Sequence, residues 1–539
     1  MGIEEDAYKY AVKNAALHEG KADAGAVVGK LKALHPQFDI RKAMQIASGA
    51  VKRVNAMGLA EIQAEFARFE QSGYELKPKP QREGLPAVEF AEKGGAVVTR
   101  YAPNPSGAMH FGHARQAILN HDLARKYSGK FILRFEDTDP KVKVPLPNAE
   151  KMFIEDLEWL GITADETYSD SDRFPIYYEH MRKAIELGKA YVCTCDNEQW
   201  KKKKAKGTAC KCRGTSPEKN LGLFEKMLKH GLKEGQAVLR IKTDIKHPDP
   251  SIRDWWAAKI VDSPKHPKLK NTFVFPSYNF AAAIDDHLMG ITLIIRGQEH
   301  SQNSTKQKFL YDYFGWKYPE AIHTGRVKSN IGVLSKSKIN ALMKTPGFMG
   351  FDDPRLGTIR ALRRRGFEAE AIRGIMVEIG LKTSDTTVQL AKLVDLNRKL
   401  VEPKSERISF IEEPVQLDVN YAPDGMGRLV VDKKQFGKFK AGDVVRLRGL
   451  FNIKIIKTDP LQVFAEFIGQ AKINKPIVNW AQNTADVEIV MGDATKVSAI
   501  ADERIPSKEK GDRVYLEGFG FCVVDEQLPE KTVLWFTHR

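Results

Sequence analysis

The sequence predicts an α/β protein of several domains, with a parallel sheet at its centre, helices before it and antiparallel β-barrels after it. Two observations carry this. "GAVVTRYAP" and "KFILRFEDTDP" read as short buried strands running into turns, and "HARQAILNHDLARKYSG" between them is helical and closes on Gly129. Strand, helix, strand is the pattern of a parallel βαβ unit. After about residue 405 the pattern changes to short β-like runs, "GRLVVD", "DVVRLRGLFNIKII" and "RVYLEGFGFCVV", broken by Gly and Asp. Such runs predict antiparallel barrels.

In chain order, residues 1–85 are Ala-rich with helical spacing, as in "IRKAMQIASGAVKRVNAMGLAEIQAEFARFEQ", and predict a helical domain. The three prolines of "YELKPKPQREGLP" read as a linker. Residues 92–190 form the first half of the parallel-sheet domain. Residues 191–275, broken by cysteines, lysine runs and prolines, read as an insertion into it. Residues 276–345 complete the sheet, with "GITLIIRGQEH" as a buried strand. "DDPRLGTIRALRRRGFEAEAIRGIMVEIG" is strongly helical and places a helical domain at 346–404. Residues 405–539 are the barrel region. No internal repeat is evident.

The 539 residues carry 85 Lys and Arg against 69 Asp and Glu, a net +16. Such an excess points to a polyanionic partner such as nucleic acid, or to a merely basic surface. The acidic start "MGIEEDAYKY" lacks the basic and apolar parts of a signal peptide. No run approaches the ~20 apolar residues of a membrane span, so a cytoplasmic protein is expected. Of five cysteines, Cys193, Cys195, Cys210 and Cys212 lie close together, which suits a metal site better than a disulfide framework. Two close thiolate pairs can close a tetrahedral structural Zn²⁺ site; four reduced cysteines on a loop are the alternative. Cys522, in "GFGFCVV", reads as a buried strand residue.

The chemistry concentrates in "PNPSGAMHFGHARQA", residues 103 to 117. A loop that leaves a parallel strand and enters a helix is where open α/β folds bind nucleotides. Gly112 lets a ligand approach the backbone, and the helix start offers free N–H groups to phosphate. His110 and His113 then donate to phosphoryl oxygens, whereas zinc would want a third ligand. Far downstream, "VLSKSKIN" sets Lys336 between Ser335 and Ser337. A lysine there is suited to neutralising a pyrophosphate leaving group.

"HFGH" resembles the HIGH motif and "VLSKS" the KMSKS motif of class I aminoacyl-tRNA synthetases. "TRYAPNPSGAMHFGHARQAILN", "ILRFEDTDP", "PSYNFAAAIDDHLMGITLIIRGQEH" and "VLSKSK" resemble glutamyl-tRNA synthetases of the archaeal and eukaryotic type, with likeness running from about Thr99 to Val394. The resemblance implies a Rossmann-type catalytic domain with an inserted acceptor-binding domain, a helical stem-contact domain and a β-barrel anticodon-binding region. It implies glutamate–tRNA ligase activity: ATP-dependent formation of glutamyl-adenylate, then transfer to the 3′ end of tRNA(Glu). Whether tRNA(Gln) is also an acceptor stays open. His110, His113 and Lys336 are the expected catalytic residues, and ATP, with Mg²⁺, is expected at His110, Gly112, His113, Ser335 and Lys336. Arg100 matches the arginine that clamps the side-chain carboxylate of L-glutamate, a bidentate pair that prefers glutamate over glutamine. Glu136 matches the residue that receives the substrate ammonium. Tyr278 matches a tyrosine bonding the substrate carboxylate, and Arg296 the arginine on its α-carboxylate.

Phe111 replaces the usual Ile of the first motif, and Val333 the first Lys of the second. Glutaminyl-tRNA synthetase is the nearest alternative, and a non-catalytic tRNA-binding paralogue is another. The run "KKKKAK" and the arginines at 363 to 365 are either tRNA contacts or solvated faces. The N-terminal domain is a candidate for binding tRNA or a protein partner.

Overall fold

The computed structural model describes residues 2–18, 20–35, 38–71, 84–423 and 426–539. The side chains of Lys336 and Ser337 lie outside this description, as do residues 72–83, where most of the expected linker falls.

Residues Met1–Arg82 form a compact unit of their own. Helices Ile3–Ala16, Ala24–Leu34, Ile40–Asn55 and Leu59–Gln71 close on Ala7, Ala11, Ala15, Leu31, Ala47, Val54 and Ile62. Alanines at that spacing share one helical face and let the helices approach closely. Asp23 and Asp39 cap two of the helices by accepting from backbone N–H groups.

In the second unit, Glu83–Arg539, the central sheet has the strand order Glu166–Ser169, Lys130–Phe135, Val98–Tyr101, Leu293–Gly297, Glu320–Thr324. All neighbours are parallel. The chain builds outward to one side of Val98–Tyr101 and resumes on the other after the insertion. The order therefore reverses between Val98–Tyr101 and Leu293–Gly297, and ligands bind where it does so. Helix Phe111–Lys126 buries Phe111, Ala114, Ala117 and Ile118 against this sheet, so Phe111 fills the apolar slot of the Ile it replaces. The helix ends before Gly129, where a Cβ would lie 1.9 Å from the Val97 carbonyl oxygen.

The insertion is an antiparallel sheet of Ala190–Cys193, Val238–Ile241, Trp256–Ile260 and Val274–Pro276. It packs on Tyr177, Met181, Phe224 and Phe275.

Two expectations need correction: the arginines at 363 to 365 as tRNA contacts or a solvated face, and the lack of an internal repeat. The stretch after Asp352 is two helices, Ile359–Arg364 and Ala369–Ile379, broken at Gly366 (φ +83), where a Cβ would sit 2.7 Å from Thr537 Oγ1. Arg364 pairs with Asp352 and Asp525 and lies 4.0 Å over Trp535, while Arg365 is buried and donates to the Thr537 carbonyl. These two arginines clamp the last barrel to the helices, and of the three only Arg363 is exposed.

The barrel region does contain a repeat. Two seven-stranded sheets enclose separate cores, one around Leu417, Phe451 and Ile453, the other around Ile489, Val514 and Leu534. Each runs hairpin, short helix, then three strands, starting at Pro414 and at Thr484. In each, the opening strand pairs parallel with a later one, Pro414–Asn420 with Gln462–Gly469 and Thr484–Val490 with Thr532–His538; the remaining pairs among these strands are antiparallel. Cys522 is buried in strand Gly520–Gln527.

Candidate active site

At the carboxyl ends of Val98–Tyr101 and Leu293–Gly297 lies a cleft of about 530 Å³. Its walls bring together Arg100, Glu136, Tyr278 and Arg296 with His110, Gly112 and His113, residues drawn from strand ends, a loop and two helix starts.

His110 occupies the N-cap of helix Phe111–Lys126, and the Gly112 N–H donates to its Nδ1 at 3.1 Å. An Nδ1 that accepts leaves the proton of the neutral ring on Nε2, free to donate to a ligand. The ring stacks on His113, with centroids 3.5 Å apart and planes at 23°. Burial holds His110 down at about 4. Burial, with His110 adding to it, holds His113 well below its ordinary value. Both rings are therefore neutral donors near pH 7. A Cβ on Gly112 would come within 3.2 Å of the His110 ring and would press on it, so the glycine leaves room for this capping geometry.

One segment lies between the two signature loops. The Phe111 N–H donates to the Gly357 carbonyl and the Ile359 N–H to that of Met109, while Val333 exchanges bonds with Arg355 and Gly357. Gly332 and Gly357 permit this approach, since a Cβ on Gly332 would lie 2.6 Å from the Gly357 nitrogen. Ser335 is exposed ahead of helix Lys336–Leu342 and does not line the cleft. The expected reach of Lys336 concerns a side chain outside the described residues.

Arg100 is buried, and its Nε and Nη2 donate to Asp286 Oδ1 and Oδ2 at 3.0 and 3.3 Å. Arg134, fully buried behind it, donates to Asp286 Oδ1 at 2.8 Å. Arg296 donates to Tyr278, Ser304, Gln307 and Tyr318. It has no carboxylate within ion-pair distance among the described residues, so its charge awaits an anion. Burial pushes the Glu136 carboxyl up to about 7, against the pull of Arg134 and Arg100. Burial also pushes the Tyr278 hydroxyl up to about 12.

Sequence reasoning missed Asp286, Arg134 and Arg115. Arg115, in the first signature helix, donates to the carbonyls of Gly325, Gly380 and Lys382. It thereby ties the cleft wall at Gly325 to that helix. An arginine inside an otherwise buried helix is the signal that would have marked it.

In the insertion, the Sγ atoms of Cys193, Cys195, Cys210 and Cys212 all lie within 4.8 Å of one another. Two of the separations are 3.9 and 3.7 Å. Tetrahedral zinc with Zn–S bonds of about 2.3 Å has S···S edges of about 3.8 Å, so the thiols are already placed for such an ion. Strand Ala190–Cys193 supplies the first, and the turn of Lys211–Gly214 brings the second pair over it.

Residues 96–403 match the family model of the catalytic domain of class I tRNA synthetases (E and Q). The chain is 42% identical to the glutamate–tRNA ligases of Thermococcus onnurineus and Thermococcus kodakarensis, and 39% identical to that of Methanothermobacter marburgensis; in each case all of both chains is covered. Among the described residues, no helix is long and apolar enough to cross a membrane. A Rossmann-type sheet with its cleft at the switch point, the first signature motif in the wall of that cleft and full-length likeness to these enzymes lead to one conclusion: the chain belongs to the glutamate–tRNA ligase family of class I aminoacyl-tRNA synthetases.

Proposed function

We propose that this chain joins L-glutamate to tRNA(Glu) in two steps within this one cleft, working in the cytoplasm where both substrates are found. The observation that carries the reading is the charge layout of the cleft. Arg100 and Arg296 offer cations for two carboxylates, Glu136 offers an anion for an ammonium, and neutral His110 and His113 stand at a helix N-terminus beside them. L-Glutamate has that complement of groups.

In the first step an α-carboxylate oxygen of glutamate attacks the α-phosphorus of ATP, the bond to the bridging oxygen breaks, and pyrophosphate leaves with the electron pair. His110 Nε2 and His113 donate to oxygens that gain charge, and the amides at the start of helix Phe111–Lys126 add to them. Lys336 and Ser335 act on the leaving pyrophosphate from the second signature loop. Mg²⁺, when bound, neutralises phosphate charge. In the second step the terminal ribose hydroxyl of tRNA attacks the activated carbonyl and AMP leaves. No covalent enzyme intermediate is needed; catalysis is positioning and charge stabilisation. Cys193, Cys195, Cys210 and Cys212 would hold a structural Zn²⁺ ion, which crosslinks the insertion. Exposed Leu17, Met44 and Leu59 in the N-terminal unit suit that unit to a protein partner.

Aminoacylation of purified tRNA(Glu) and tRNA(Gln), with glutamate and glutamine each supplied, tests the reading. Glutamate should charge tRNA(Glu). Charging by glutamine alone would overturn the assignment, and charging of tRNA(Gln) by glutamate would extend it to a second acceptor.

A further inference from the structure

Arg100 does not stand free in the cleft, and how it is held bears on which amino acid it accepts. A guanidinium has two faces for bidentate bonding: the edge of Nε and Nη2, and the end-on fork of Nη1 and Nη2. Asp286 takes the first, with both of its oxygens. Nη1 has no partner among the described residues, and Arg100 lines the cleft. The fork that remains is the one able to grip a second carboxylate.

The charge accounting then turns on Arg134. An isolated Arg100–Asp286 pair is neutral and has little preference for an anionic side chain over a carboxamide. Arg134 shares the same Asp286 oxygen, so the triad carries one net positive charge, with all three side chains at most 3% exposed. The other acids around Arg134 are Asp170, at 3.6 Å, Glu136, at 3.5 Å, and Asp285, whose charge is matched by its own pair with Arg173. Burial pushes the Asp170 carboxyl well up, against the pull of Arg134, and Glu136 faces the cleft, where the ammonium of the substrate would take its charge. Burial raises the Asp286 carboxyl, but Arg100 and Arg134 outweigh it and hold it ionised. Arg134 itself does not line the cleft.

We propose, resting on the glutamate-activating function above, that Arg134 and Asp286 are the positioning residues that set side-chain specificity: Asp286 turns the end-on fork of Arg100 toward the substrate, and Arg134 supplies the surplus charge that makes the fork select a carboxylate. The discrimination between glutamate and glutamine is thus built behind the cleft wall as well as at its surface.

The test is glutamate- and glutamine-dependent ATP–pyrophosphate exchange, with tRNA(Glu) present throughout, by the full chain and its Arg134→Gln, Arg134→Lys and Asp286→Asn variants, with melting curves for each. Asp285→Asn is the neighbouring control, because Asp285 bonds Arg173 and Tyr177 and not Arg100. Arg134→Gln should lower the glutamate-over-glutamine ratio of kcat/KM by about tenfold or more, through a higher KM for glutamate at unchanged KM for ATP. Arg134→Lys keeps the charge and should keep most of the ratio. Asp286→Asn should raise the KM for glutamate, and Asp285→Asn should leave it as in the parent. Equal ratios in Arg134→Gln and Arg134→Lys would overturn the assignment, as would failure of both to fold, which would make Arg134 a purely structural residue. Absence of glutamate-dependent exchange in the parent chain would instead refute the proposed function.

Discussion

Glu136 should make glutamate binding depend on pH in a way that no other group in the cleft reproduces. Its carboxyl is pushed up to about 7 from an ordinary 4.5, so the free protein holds that proton with about 3 kcal/mol more than water would. The substrate ammonium needs the ionised form. Below pH 7 binding must first expel the proton, and the KM for glutamate should rise about tenfold for each further unit of acidity. Between pH 8 and pH 5.5 the expected rise is about 30-fold. Above pH 7 the group is already ionised and the curve flattens. The window is otherwise quiet: His110 and His300 are held at about 4 by burial, His113 titrates well below its ordinary value, and free glutamate keeps its own charges throughout. The assay is ATP–pyrophosphate exchange at saturating ATP and tRNA(Glu), with KM for glutamate measured across this range in the parent and in Glu136→Gln. A flat profile in the parent, or an equal slope in Glu136→Gln, would refute the reasoning.

Other outcomes follow from the same geometry. His110→Ala and His113→Ala should each slow adenylate formation by about 10²–10³-fold with the fold retained, His110→Ala melting somewhat earlier through the lost helix cap; a single-turnover rate like the parent's would show the rings idle. Gly112→Ala forces a Cβ to within 3.2 Å of the His110 ring and should slow the same step while sparing the KM for glutamate. The purified chain should contain about one zinc per molecule by elemental analysis, and Cys210→Ser should lose it and melt earlier; a metal-free parent would reject the site. Gly442→Ala and Gly511→Ala, at φ +94 and +98, should each cost about 1–3 kcal/mol in chemical denaturation without changing adenylate formation.

The last of these residues belong to a repeat that was legible in the sequence and is easy to pass over. "GDVVRLRG" at 442–449 and "GDRVYLEG" at 511–518 differ at three of eight positions; what they share is the turn residues that the backbone demands and the two inward strand residues, Val445 and Leu447 in one and Val514 and Leu516 in the other, all buried. Each opening glycine has positive φ and donates to a carbonyl across the barrel, Gly442 to Ile455 and Gly511 to Val524. Each aspartate then accepts from an N–H three residues earlier, Asp443 from Lys440 and Asp512 from Glu509. Each closing glycine, Gly449 and Gly518, is again at positive φ. The two inward positions fill equivalent places in the two cores, while the three positions that alternate with them, Val444 and Arg513, Arg446 and Tyr515, Arg448 and Glu517, answer to separate neighbours. Similarity confined to turn residues and inward strand positions is what two copies of one barrel retain, and over so short a run it does not stand out in the sequence.

The site was legible to a different depth. The βαβ pattern puts His110 and His113 at one edge of the sheet, whereas Arg100 and Glu136 stood out only through the resemblance to the family. Arg134 sits in the same quoted run, "ILRFEDTDP", but reads as one more strand residue, since nothing local reveals that its alternate neighbours face a buried acid. That acid lies 186 positions from Arg100 in the chain, on the helix Tyr278–Leu288. It did leave a trace. "FAAAIDDHL" places two adjacent carboxylates in an apolar helix, and both are fully buried. Buried charges persist only when paired, so each aspartate demanded a cation from elsewhere in the fold: Asp285 takes Arg173, and Asp286 takes Arg100 and Arg134. The pattern announces that partners exist; only the fold says which. Two arginines share one carboxylate, and so the grip of the cleft on its substrate depends on a residue that never touches it.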